Sequence, residues 1–143
     1  MALNPVWKNT LEIGTAQTSG TWTYSPLCQG IESMEFTPNE QNQQYFFLCG
    51  QGFADNEATG AAPEISCSGR RIVGNPAQDY IVEKQFDLGD DRKTSVKITA
   101  EGKVITCDCT IGAITSFGGQ TLDVNAFGCT IRFNGKPTVT NAA

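Results

Sequence analysis

The chain has 143 residues, a formal net charge of −5 and no histidine. The missing imidazole removes Ser-His-Asp and Cys-His catalysis, histidine metal sites and histidine pH switching. An acidic chain without a basic run argues against tight nucleic-acid binding, which needs clustered Lys and Arg on phosphates.

The N-terminal segment starts Met1-Ala2-Leu3-Asn4-Pro5 and lacks a basic start and an apolar h-region, so no signal peptide is expected. No apolar run approaches the length of a membrane span. Both points lead to the expectation of a protein folded in a reducing cytoplasm, with no membrane partner.

Residues 10–15 and 21–24 read as short strands around a Thr/Ser/Gly turn, and 31–37 as a third strand ended by Pro38-Asn39. The run Tyr45-Phe46-Phe47-Leu48-Cys49 reads as a strand covered on both faces. Residues 51–62 read as a loop or extended arm, and 37–62 together as a long loop or arm. Such a length is unusual inside a compact domain, so Tyr45, Phe46 and Phe53 serve equally well as core or as an interface with another subunit. Residues 64–72 return as a strand.

The helix start is the sharpest local signal. Asn75 is an N-cap residue, Pro76 fits the first helical position, and Gln78 stands three residues after Asn75, as a capping box requires. Asp79 adds first-turn negative charge, and Ala77, Tyr80 and Ile81 form an apolar stripe. The segment ends in a turn at Gly89, followed by Asp90 and Asp91. With Asp87 and Arg92 these make a charge cluster that lacks calcium-loop spacing. It reads as a solvated turn, with an intersubunit ion pair through Asp90, Asp91 or Arg92 as a further reading.

After the helix, Thr94, Val96 and Ile98 alternate with charged and polar residues, and Ala100-Glu101-Gly102 turns the chain into a second strand over 103–114. There Ile105, Cys107, Cys109, Ile111 and Ala113 share one face. Phe127, Cys129, Ile131 and Phe133 give the last strand, stopped by Asn134-Gly135-Lys136-Pro137. The tail, 138–143, is polar and reads as a free end or as an arm ordering on a neighbour.

Cys107 and Cys109 invite a metal or redox reading, but both lie in phase with Ile105 and Ile111, as Cys129 does with Ile131 and Cys67 with Ile65. No C-x-x-C pair occurs, so core thiols are expected, with an inter-sheet disulfide as the remaining case. Glu32, Glu35 and Glu40 could supply a carboxylate pair, but Glu32 and Glu35 point to opposite faces of a strand. No catalytic, metal or cofactor site is therefore expected.

These readings sum to one mainly β domain over 1–143: a sandwich or barrel of roughly eight strands with one short flanking helix. The order of strands, long loop, strand, helix and hairpin resembles the major tail tube proteins of long-tailed, siphovirus-type phages. The residues that carry it are Gly30-Ile31-Glu32-Ser33, Pro38-Asn39, the stretch from Ser68 through Arg70-Arg71-Ile72 to Tyr80, and Phe133-Asn134-Gly135-Lys136-Pro137.

The resemblance implies a non-enzymatic virion protein, assembled in the host bacterial cytoplasm. Six copies would form a ring, and rings would stack into a tube through which double-stranded DNA leaves without tight binding. It implies a tape-measure protein and terminator or baseplate proteins as partners, and ring-to-ring contacts by residues 37–62 and the termini. Tubes of contractile tails and tailocins share this pattern. A small β-sandwich module binding carbohydrate or protein is the competing reading, with Trp7, Trp22 and Tyr24 as its only aromatic candidates.

Overall fold

The computed structural model describes residues 3–141 and contains ten strands and one α-helix among them. Eight strands form one antiparallel sheet in the order β2-β1-β7-β8-β9-β6-β3, with β10 on β8. They are β1 (Thr10–Thr18), β2 (Thr21–Pro26), β3 (Ile31–Thr37), β6 (Glu64–Arg70), β7 (Lys93–Ala100), β8 (Lys103–Thr115), β9 (Ala126–Phe133) and β10 (Thr138–Asn141). The other two, β4 (Glu40–Tyr45) and β5 (Asp55–Ala61), pair only with each other.

The long strand β8 organises the sheet. One edge pairs with β7 over Lys103 to Thr110. The other edge pairs first with β10 and then, from Cys109 onward, with β9. Because β9 also pairs with β6, the sheet divides along β8 and folds over. Ile65, Cys67 and Phe127 then share one core with Leu11, Ile13, Val96 and Ile111. Each fully buried Ile or Phe side chain in such a core stabilises the fold by about 1.5–3 kcal/mol. The β7–β8 turn is a two-residue type with positive φ at Glu101 (53°) and Gly102 (75°), the geometry that matches the natural strand twist.

Close backbone approach sets the β3 start. A Cβ on Gly69 would run into the Gly30 carbonyl oxygen, and β3 bulges between Ile31 and Ser33 as it passes.

The helix α1 (Pro76–Glu83) packs near β1, β2 and β8, burying Ala77, Gln78 and Ile81. It is shorter than the sequence implies. It stops at Glu83, residues 84–88 form a loop, and Gly89–Arg92 make a 3-10 turn.

Three expectations need correction and a fourth narrows. Residues 45–49 are not a buried strand: β4 ends at Tyr45, and Leu48–Gly50 is an exposed 3-10 turn. Of the two readings of 51–62, the loop gives way to the extended arm, because Asp55–Ala61 form β5. The polar tail is neither free nor an arm through Asn141, since it continues the edge of β8 as β10; residues 142 and 143 lie outside the described part. Finally, Ala113 leaves the core face. It sits at φ 50° in a bulge between Gly112 and Thr115 and is exposed.

Candidate assembly surfaces

The antiparallel order gives the body two ends. At the first lie α1, the 84–92 loop, the start of β3 and the ends of β6 and β8. At the second lie the end of β3, the start of β6, the β7–β8 turn and the segment after β9. The helix is fastened to the first end by one buried amide. Asn75 Oδ1 accepts the Gln78 backbone N–H at 3.1 Å, so the cap forms. The Gln78 side chain does not close a capping box; it joins three segments. Its Nε2 donates to the Gln29 and Arg70 carbonyls at 2.9 and 3.1 Å. Its Oε1 accepts from Ile72 N and Arg71 Nη1 at 2.8 and 3.3 Å. All four hydrogen-bonding positions of the amide are filled, which is what a fully buried Gln requires. The Gln-at-N3 signal was visible in the sequence; its partners were not.

Around it, Arg71 Nη2 meets Asp79 Oδ1 at 2.7 Å. The Arg71 guanidinium holds the Asp79 carboxyl below the ordinary carboxylate range, helped by the Gly74 N–H. Arg92 holds the next loop through main-chain oxygens: Nε donates to Asp87 O at 2.7 Å and Nη2 to Gln85 O at 2.6 Å. Asp90 pairs with Lys93 at 2.9 Å, which lowers the Asp90 pKa and raises that of Lys93. Asp91 is exposed. The three residues thus lie together on one loop beside α1, with Arg92 engaged inside its own chain.

At the second end stands the arm, rooted where β3 ends and β6 begins. The Ala62 N–H donates to the Asn39 carbonyl at 3.2 Å and closes its base. Every residue of β4 and β5 is exposed. The tip carries Phe46 (69% exposed), Leu48 (104%) and Phe53 (79%), and Tyr45 stacks on Phe47 with ring centroids 5.9 Å apart. The aromatics singled out in the sequence are therefore at an arm tip and not in the core of the described chain.

Beside the root, the two layers of the folded sheet part to leave an apolar cleft of about 310 Å³. Its walls include Met34, Phe36, Ile98, Ile105, Phe133 and Val139. Phe36 and Val139 are each 55% exposed at its mouth. The outer edges of β2 and β3 have no strand partner among the described residues.

The features of a chemical site are not assembled. No group of three or more His, Cys, Asp or Glu fit to hold a metal occurs among the described residues. All six cysteines are free. Cys67, Cys107, Cys109 and Cys129 are buried, and only Cys28 and Cys49 are exposed. Burial pushes the Cys109 thiol up to about 12, so it is inert at neutral pH. Cys67 and Cys129 face each other across β6 and β9 as thiols.

The aromatic candidates for a ligand face are dispersed. Trp22 lies against Gly14, where a Cβ would meet its ring at 2.8 Å. Tyr24 bonds Ser95 Oγ at 2.9 Å, and only Trp7 is freely exposed. Glu32 pairs with Arg70 at 3.3 Å on the surface, and Glu35 and Glu40 are exposed, which gives no paired acid and base.

No family model and no curated protein matches the chain at the sequence level. Among solved structures it is similar to a chain from the tail of an empty gene transfer agent particle, refined with helical and C6 symmetry. The TM-score is 0.76 and the identity 10%, over 96% of this chain and 99% of that one. It is also similar to the tube-terminating cap of the anti-feeding prophage, with TM-score 0.60, identity 15%, and 99% and 95% coverage. A sheath/tube terminator of an extracellular contractile injection system gives TM-score 0.57 and identity 11%, over 98% of each chain. The chain therefore has the tail-tube type of fold, a mainly β architecture with one helix.

Proposed function

We propose that this chain, as one domain over 1–143, is the structural subunit of a tail tube. Copies associate through their own surfaces into rings, six-membered by analogy with the C6 tail, and the rings stack into a hollow tube in the virion tail. The observation that carries this is the pairing of a near-full-length tail fold with an exposed apolar arm that its own body leaves uncovered. Joining the open edges of β2 and β3 between copies would remove strand edges that otherwise invite aggregation.

Double-stranded DNA passes through the lumen without tight binding, since a net charge of −5 disfavours phosphate capture. A tape-measure protein inside the growing tube and a terminator and baseplate at its ends complete the partner set. Assembly takes place in the host bacterial cytoplasm. The protein acts by assembly and not by catalysis.

Negative-stain electron microscopy over a concentration series tests the reading. Rings or tubes of uniform diameter support it. Particles that stay monomeric at every concentration, and also with a tail-tip complex added, overturn it. A bore lined by Lys and Arg in a map of the tube would contradict the DNA-transit part alone.

A further inference from the structure

We propose that the apolar cleft at the second end of the body is the receptor for the arm tip of another copy of this chain. The inference rests on the self-assembly reading and specifies which surfaces meet.

Three observations point to that occupant. The arm cannot fill its own cleft by folding back, because it is rooted on the cleft's rim. Phe36 and Pro63 line the cleft, and the arm leaves one residue after Phe36 and returns one residue before Pro63. A two-stranded ribbon of six to seven residues per strand carries its tip about 20 Å from that root.

The chemistry of the two partners also matches. The cleft is walled by Met, Phe, Ile, Pro and Val side chains, and the tip presents Phe46, Phe47, Leu48 and Phe53 uncovered. A concave apolar site receiving aromatic anchors is how protein interfaces concentrate their binding energy.

Charge complements shape. The arm carries Glu40, Asp55 and Glu57, and no Lys or Arg occurs anywhere from residue 9 to residue 69. The residues next to the cleft walls include the exposed Lys8, Lys103 and Lys136, against the exposed Glu35 and Glu101, and Lys103 Nζ donates to Asn141 Oδ1 at 3.3 Å. Glu64 at the same end is already paired with Arg132 at 3.5 Å. The acidic stem of one copy thus approaches a rim with available cations.

The contact is heterologous: every copy donates one tip and offers one cleft. Repetition of such a contact either closes a ring, with every tip and cleft matched, or continues as a helix with a free tip at one end and a free cleft at the other. The opposite end of the body also exposes apolar residues, among them Phe86, Leu88 and Leu122, and is the natural competitor.

The tip carries its own probe, the exposed Cys49. In a Cys28→Ser background, Cys49 is the one exposed thiol left. Val139→Cys adds a second at the cleft mouth, and Leu122→Cys adds one at the competing end instead. Assembled full-length protein is treated with a short bifunctional maleimide and run on a denaturing gel.

The expected result is a ladder of covalent multimers with Val139→Cys, abolished by Cys49→Ser, and none with Leu122→Cys. Tubes or rings that give no Cys49-dependent ladder with Val139→Cys, or give one only with Leu122→Cys, overturn the cleft as receptor while leaving the tube reading intact. Absence of any assembly in unmodified protein, also with a tail-tip complex added, fails the tube reading instead. As an independent check, Val139→Asp, at an exposed position of β10, should leave a folded monomer and raise the concentration needed for assembly about tenfold or more. Unchanged assembly by that variant also overturns the proposal.

Discussion

The body and the arm use the same kinds of residue to opposite ends. In the body, Ile13, Ile81, Val96 and Ile131 are completely buried, and the buried amide of Gln78 is matched by four bonds, while Asn9 Oδ1 is buried without a partner. In the arm no strand residue is buried, and the largest apolar side chains face outward. Hydrophobic burial is the main stabilising term in folding and in association alike. The body uses it within one chain, and the arm holds it ready for contact between chains.

The sharpest break in that comparison is a charge placed in the body. Ile111→Asp puts a carboxylate at a position 1% exposed and should leave no folded protein, which circular dichroism and solubility would show. A soluble, folded Ile111→Asp variant would place the core face of β8 wrongly.

Next comes the polar staple. Gln78→Leu preserves bulk but leaves Ile72 N–H and the carbonyls of Gln29 and Arg70 without their partner. It should cost about 2–4 kcal/mol in denaturant unfolding, because buried groups without partners carry the full desolvation penalty. A loss under about 0.5 kcal/mol would mean that water or the backbone replaces those bonds.

The smallest effect is at the surface. Asp79 is held below its ordinary pKa by Arg71, so its contribution is fully present above the usual carboxylate range and is lost as pH falls through the lowered value. Arg71→Met should therefore lower the neutral plateau of a Tm-against-pH curve while leaving its acid end nearly unchanged, which flattens the acid limb. An unchanged acid limb would show the pair to be screened by solvent.

Legibility from sequence follows the same division. Where one face of a strand meets the core, period-two alternation identified it, as in Phe127, Cys129 and Ile131 of β9 and Cys107, Cys109 and Ile111 of β8. The helix start was legible because Asn75 and Pro76 act locally. The arm strands were not. Glu40-Gln41-Asn42-Gln43-Gln44 and Asp55-Asn56-Glu57 have no alternation because neither face is buried in this chain.

The run 45–49 misled for the converse reason: its apolar residues looked like core and have no core to enter. Ala113 followed the pattern of its neighbours until a bulge, invisible in residue types, shifted the phase. The cleft was equally hidden, since Met34, Phe36, Phe133 and Val139 come from β3, β9 and β10 and meet only in the fold. The triple main-chain grip of Gln78 and the inward use of Arg92 depend on loop geometry in the same way.

The division between body and arm is tested most directly by removing the arm. Residues 40–61 are excised and residues 39 and 62 joined, which suits the existing Ala62 N–H to Asn39 bond. Intact and shortened proteins are compared by thermal unfolding and by electron microscopy at matched concentrations. The account expects nearly equal Tm values, tubes or rings from the intact chain, and monomers from the shortened one. Normal tubes from the shortened chain would contradict it, and so would a body that no longer folds without its arm.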